Sequence, residues 1–184
     1  MKDILVVDCQ YDFIDGTLAC AHSVEAVNNI ISFINANPGA KVYYSADNHS
    51  PKHCSYIPNG GTWPVHCQAG THGAEIHEAF TRDIINPDQK PNDSTIYYKG
   101  EDDGVEEYSA FEARNKNGER ICDVIGHDVI VCGIASEFCV RESVIALQES
   151  GRNVEVPAEM LGWVDEAGHR KNIQELSAMG VRVA

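Results

Sequence analysis

At 184 residues, 43% hydrophobic and 23% charged, the chain has the size and composition of one globular domain with a sizeable core. A formal net charge of −14 repels phosphate backbones and anionic lipid, which argues against nucleic-acid and membrane-surface partners and for a small or neutral ligand. No apolar run reaches the ~18 residues that span a bilayer, so no membrane segment is expected.

The N-terminus, MKDILVVDCQ, carries an aspartate inside its apolar run and no small-residue cleavage site, so no export signal is read there. The seven cysteines form no CxxC pair, and an odd number cannot all bridge within one chain. Reduced thiols in the cytoplasm fit best.

In chain order, the first element is a buried strand at Ile4–Val7, closed by Asp8. A helix follows, with Val24, Val27, Ile30, Ile31 and Ile34 at helical spacing, Ser23 placed to cap it and Pro38-Gly39 to stop it. Further strands are predicted at Val42–Ala46, Thr95–Tyr98, Val129–Ile134, Val154–Val156 and Val181–Val183. A second helix is predicted from about Phe138 to Glu149, with Val140, Val144 and Leu147 on one face and Gly151 at its end. A third runs from about Asp165 to Met179. With no repeat or low-complexity segment between them, these elements predict one α/β domain over residues 1–184. Its expected form is a doubly wound, mainly six-stranded parallel sheet with helices on both faces.

Ligands of such sheets bind outside the carboxyl ends of the strands. Asp8 ends the first strand, Asp47 and His49 follow the second, Lys99 ends the third, and Ala135 to Cys139 follow the fourth. All fall on one edge. In VCGIASEFCV (131–140), Cys139 sits in the first turn of a helix, where N–H groups and the dipole favour a thiolate and could bind a developing oxyanion. A free cysteine is more often a small buried hydrophobe, the reading that suits Cys132. Asp8 could equally cap the following turn, and Lys99 could point to solvent. As a set they make an acid–base pair beside a thiol, Asp8 accepting a proton and Lys99 holding the carboxylate and thiolate charges. The acidic run GEDDGVEE (100–107) reads as a solvated loop.

The segment SADNHSPKHCSYIPNGGTWPVHC (45–67) concentrates metal-ligating residue types. Structural zinc takes four Cys/His ligands in paired spacings, whereas catalytic metals keep three protein ligands and an open position. Asp47-x-His49 at a strand end, with His66 in the WPVHC turn, makes an open set suited to one divalent ion, Zn2+, Fe2+ or Mn2+. Cys54 and Cys67 each directly follow a histidine, and ligation by both neighbours would strain the backbone. For His53 three readings stay open: a further ligand, a residue behind the ligands, or an exposed loop histidine. His22, His72, His77, His127 and His169 have no partner spacing and are expected at the surface.

These residues fall in stretches that resemble the isochorismatase-like cysteine hydrolases, and within them the nicotinamidases. The matching elements are VVDCQYDF (6–13), SADNHSPKHCSY (45–56), GGTWPVHCQAGTHGAE (60–75), YYKG (97–100), EYSAF (107–111) and VCGIASEFCV (131–140). The first and last specify only the hydrolase, whereas DxH followed by WPVHC separates nicotinamidases from metal-free cousins. The resemblance implies a catalytic triad of Asp8, Lys99 and Cys139 and a metal on Asp47, His49 and His66, with His53 at a position that supplies a further ligand in some members. It implies a pyridine ring held between Phe13 and Trp63, with Tyr108 and Ile134 also at the substrate. The oxyanion hole falls on the N–H groups of Ala135 and Cys139, with a cis Ile134–Ala135 peptide. Asn48 replaces the usual aromatic between aspartate and histidine, and Ser136-Glu137 replaces Thr-Asp, which puts pocket shape and substrate range in question.

The implied activity is hydrolysis of nicotinamide to nicotinate and ammonia through a cysteine thioester, in NAD salvage, with a divalent metal orienting the pyridine nitrogen. Relatives are often oligomeric, which leaves a homo-oligomer open. One alternative is a metal-independent amidase of the same fold acting on ureido or carbamoyl substrates. Another is a non-enzymatic metal or redox protein, in which Asp8 and Lys99 have no assigned work.

Overall fold

The β-branched runs pair into one six-stranded sheet. The computed structural model describes residues 2–184, with β1 (Asp3–Val7), β2 (Val42–Asp47), β3 (Ile96–Lys99), β4 (Asp128–Gly133), β5 (Asn153–Val156) and β6 (Arg182–Val183). Their order is β3-β2-β1-β4-β5-β6, and every neighbouring pair is parallel. The order reverses direction between β1 and β4, which makes the ends of those two strands the switch point of the sheet.

Three longer helices cover it: α1 (Ser23–Ala36), α2 (Arg141–Glu149) and α3 (Glu166–Ala178). Successive β1 side chains face opposite ways. Ile4 and Val6 join Val27, Ile30, Ile31 and Ile34 of α1 in one core. Leu5 and Val7 join Val144 and Leu147 of α2 and Leu176 of α3 in the other. Both faces are therefore buried, the condition under which parallel strands read as continuous apolar runs. None of the helices is long and apolar enough to cross a membrane, among the described residues.

Local details depart from the sequence pattern. Ser23 is the first residue of α1 and not its cap; His22 precedes it in a left-handed conformation, and the Ser23 hydroxyl donates to the Ile14 carbonyl at 3.2 Å. Val24 is 54% exposed, because the buried stripe runs through Ser23, Ala26, Val27 and Ile30 and leaves it to one side. The predicted 138–149 helix is two pieces: a π turn at Ser136–Val140 running into α2. Short helical turns at Tyr11–Ile14, Ala79–Arg82 and Ile121–Val124 carry too few residues to show a periodic pattern.

Register brings the site to one level: Val7 lies opposite Gly133, and Asp47 opposite Lys99. The β1–β4 approach depends on Gly133, which has φ +116° and whose added Cβ would sit 2.1 Å from the Val7 carbonyl oxygen. The nearest atoms all belong to the Val7 backbone, so no side-chain shift relieves the clash. Gly133→Ala is expected to cost at least ~2 kcal/mol and to lower the melting temperature by roughly 4–8 °C, measured by thermal unfolding; an unchanged melting temperature contradicts this packing.

Candidate active site

Strand ends deliver the chemistry. Asp8, one residue past β1, has φ 47°, a left-handed geometry that aspartate tolerates better than most residues. Its Oδ1 accepts from the Ser45 hydroxyl at 2.6 Å. Lys99, the last residue of β3, is 2% exposed and does not reach solvent. Its Nζ lies 2.9 Å from Asp8 Oδ2, 2.5 Å from Asp47 Oδ1 and 3.5 Å from Cys139 Sγ, and it also donates to the Glu107 carbonyl at 3.3 Å. Cys139 reaches this cluster from the π turn after β4. The structure thus brings together three residues from three separate strand ends.

Their electrostatics follow from burial. Loss of water disfavours the Lys99 charge, yet Asp47 and Asp8 outweigh it and hold the ammonium well above its ordinary range. Burial raises the Asp8 carboxyl, with Lys99 pulling the other way. Asp47 falls below the usual carboxylate range despite its burial, because Lys99 and His49 both favour its charged form. The Cys139 thiol is pushed up, first by burial and then by Asp8 and Asp47, against the pull of Lys99. Burial thus opposes the thiolate that a helix N-terminus favours, and Lys99 supports it.

Asp47, His49 and His66 form the second cluster, each offering one donor atom within 4.8 Å of the others. His49 Nδ1 donates to the Gly100 carbonyl at 2.7 Å and His66 Nδ1 to the Pro64 carbonyl at 2.8 Å. In the neutral rings these bonds place the proton on Nδ1 and leave Nε2 as the donor atom, and His49 Nε2 lies 3.5 Å from Asp47 Oδ2, whose charge favours protonation of that ring. His49 Nε2 is buried with no hydrogen-bond partner. Gly100 approaches that imidazole so closely that a Cβ would lie 2.3 Å from His49 Cε1.

The remaining candidates of that segment lie outside this group. Both His53 nitrogens are engaged, Nδ1 with the Ser55 hydroxyl at 2.7 Å and Nε2 with the Val105 carbonyl at 3.1 Å, while its ring stacks on His49. Cys54 and Cys67 are free thiols, and the Cys67 N–H donates to Asp12 Oδ2 at 2.7 Å. Among the other histidines, His22, His77 and His169 are only half-exposed, and His22 and His169 both stack on the Trp163 indole.

A narrow pocket opens beside both clusters, lined by Phe13, Trp63, Tyr108, Asp47, His66, Ala135 and Cys139. Trp63 Nε1 donates to the Tyr108 hydroxyl at 3.0 Å, which fixes the two rings against each other. Ile134 lies in the core and not on this wall, because its side chain packs toward Gly162. The Ile134–Ala135 peptide is cis. Leu18, Cys20, Phe138, Val164 and Glu106 complete the lining. Glu106 belongs to the run read as a solvated loop, whose Glu107 accepts from the Gly100 N–H at 3.0 Å and whose Glu101 accepts from Asn48 at 2.7 Å. The loop is exposed on one side and tied to the site on the other.

Gln10 carries no reactive group and was not singled out by the sequence. Its amide accepts from the Asp47 N–H and donates to the Asp47 carbonyl, each at 2.8 Å. The available signal was position: a glutamine three residues past a buried strand, where an amide needs partners.

The fold and these clusters define a parallel α/β protein with a shielded thiol at its sheet switch point. The Isochorismatase domain profile matches residues 3–184, and the chain belongs to that family. It is 27% identical over 179 residues to the nicotinamidase of Escherichia coli (strain K12), covering 84% of this chain and 80% of that protein. Among solved structures, the pyrazinamidase of Pyrococcus horikoshii in complex with zinc superposes with a TM-score of 0.83 at 25% identity, covering 100% of this chain and 98% of that one. The PnC1 protein of L. infantum in complex with nicotinate gives 0.80 at 27% identity, covering 100% and 92%.

Removing the ammonium while keeping its stem leaves Asp8 and Asp47 buried without a counter-charge. Lys99→Met is expected to cost about 3–5 kcal/mol at neutral pH, read from the denaturant midpoint. A variant as stable as the parent would show that the two carboxylates do not need the lysine.

Proposed function

We propose that the protein hydrolyses nicotinamide to nicotinate and ammonia, in salvage of pyridine nucleotides. The observation that carries this reading is one aromatic-walled pocket lined by both Cys139 of the Asp8–Lys99–Cys139 cluster and Asp47 and His66 of the metal-ligating set. The nicotinamidase of E. coli and the nicotinate-bound L. infantum protein support the substrate.

Asp47, His49 and His66 fit a divalent ion: two imidazoles turn Nδ1 to backbone carbonyls, which leaves Nε2 as the donor atom of each neutral ring, beside a carboxylate. Zn2+, Fe2+ and Mn2+ all suit that donor set, and the zinc complex of the P. horikoshii enzyme supports a metal of this class. When bound, such an ion supplies an electron-accepting site for the pyridine nitrogen.

The chain's own groups carry the reaction. Phe13, Trp63 and Tyr108 hold the ring. Asp8 takes the Cys139 proton as Sγ bonds to the carboxamide carbon, and Lys99 balances the charge passing between them. The N–H groups of Ala135 and Cys139 receive the oxygen of the tetrahedral intermediate. Asp8 returns its proton to the amide nitrogen, the C–N bond breaks and ammonia leaves a thioester. Water then gives a proton to Asp8 and attacks the thioester carbon; the C–S bond breaks, and the proton returns to sulfur as nicotinate leaves.

Ammonia release from a panel of small amides tests the substrate: nicotinamide is expected to be preferred, and a preference for a ureido, carbamoyl or other non-aromatic amide overturns the assignment. Cys139→Ala is expected to abolish turnover, and retained turnover would sink the thioester route. Chelation is expected to remove bound metal and activity together, and His49→Ala or His66→Ala to lower metal content measured on the purified protein. His53→Ala should retain the ion, because both nitrogens of that ring are engaged elsewhere. Full activity in metal-stripped protein would favour a metal-independent amidase.

A further inference from the structure

Asn172 is one of only two buried residues in the thirteen of α3, the other being Leu176. An amide at 2% exposure in a helix gives up water, and asparagine is a weaker helix former than leucine or alanine. Its bonds account for its presence. Nδ2 donates to the Ser136 carbonyl at 2.6 Å and to the Ser136 hydroxyl at 3.2 Å, while Oδ1 accepts from Arg141 Nη1 at 2.8 Å. Ser136 is the first residue of the π turn that carries Cys139, and Arg141 is the first residue after it. One side chain, from a helix more than thirty positions away in sequence, therefore grips the turn at both ends.

The turn needs an outside hold. Its i→i+5 pattern is rare and occurs mostly as single turns at functional sites. A second strap lies alongside, since Glu137 Oε1 accepts from the N–H groups of Val164 and Asp165 at 2.9 and 2.7 Å, just ahead of α3. The Arg141 guanidinium is itself braced by Glu175 at 2.9 Å.

We propose that Asn172 is a positioning residue for the nucleophile turn, its amide setting the separation of Ser136 and Arg141 and thereby the placement of Cys139 Sγ and of the turn's N–H groups. This rests on the reading of Cys139 as nucleophile. Asn172 touches no substrate; it acts on the covalent step and leaves ring binding alone.

Asn172→Leu keeps the volume and removes all three bonds, and Asn172→Asp keeps the shape but removes the donors to Ser136. Both are tested as folded protein verified by thermal unfolding, so the second keeps the question open if the first does not fold. A small displacement of reacting atoms costs up to ~100-fold in rate, so kcat for nicotinamide is expected to fall by that order with KM within about threefold. Pyridine-3-carbaldehyde supplies the readout that general destabilisation would not move. Its carbonyl carbon bonds to Sγ, the thiol proton passes to Asp8, and the C=O π pair moves onto oxygen facing the turn's N–H groups. Inhibition by this aldehyde is expected to weaken with kcat while inhibition by nicotinate, which forms no bond to sulfur, stays unchanged. Parental kcat in either folded variant, or equal losses for aldehyde and nicotinate, overturns the proposal. If the parent releases no ammonia from nicotinamide, the substrate reading fails separately. Iodoacetamide alkylation of Cys139, read by mass spectrometry, then decides: slower reaction in the variants supports the clamp, and parental rates overturn it.

Discussion

The Lys99 ammonium lies within 2.9 Å of Asp8 and 2.5 Å of Asp47, with all three side chains out of solvent. Two carboxylates against one ammonium leave a net negative charge in a dry site, and its desolvation is tolerable only because the partners are in contact. That arrangement requires β1, β2 and β3 to end at one level, which the parallel register supplies through the Asp47–Lys99 pairing. The same excess of negative charge makes a cation on the neighbouring imidazoles electrostatically favourable. The sheet, the thiol and the metal-ligating set are thus tied to a single ion cluster.

Groups without reactive atoms do much of the holding. Gln10 grips Asp47 through its backbone, and Asp12 holds the Cys67 N–H next to His66. His53 stacks against His49 with both its nitrogens engaged. Such partners fix the angles at which donors and thiol face the pocket, the condition for orientation to contribute to rate.

How much was legible in the sequence differs by interaction type. The central strands β1 and β4 were readable because both of their faces are buried, so each is a run of apolar, β-branched residues, and the outer strands were readable from shorter runs of the same kind. Asp8, Asp47, His49, Lys99 and Cys139 could be gathered on one edge because topology alone places strand ends together. His66 was read from its place in the WPVHC turn, as the residue that closes the Asp47-x-His49 set, whereas the pocket rings came from resemblance to a family, since nothing in their spacing marks a wall. Val24 was misplaced because it stands at helical spacing from Val27 yet beside the stripe that runs through Ser23 and Ala26, and the π turn was invisible because five residues are too few to show a change of period. A dipole at the Cys139 turn can be read from a helix start, whereas the desolvation that opposes it depends on residues distant in sequence. Asn172 illustrates the same limit, being a polar residue in a polar-looking helix until its partners on the π turn are known.

Gly100 shows that an empty position can be as constrained as an occupied one. Its carbonyl orients His49, its N–H is held by Glu107, and the space where a side chain would begin is already filled by the imidazole. Sequence drift at this position is therefore confined as closely as at the histidine it faces. A survey of tolerated variants that scored only residues bearing donors, acids or thiols would draw the boundary of the site one residue too small.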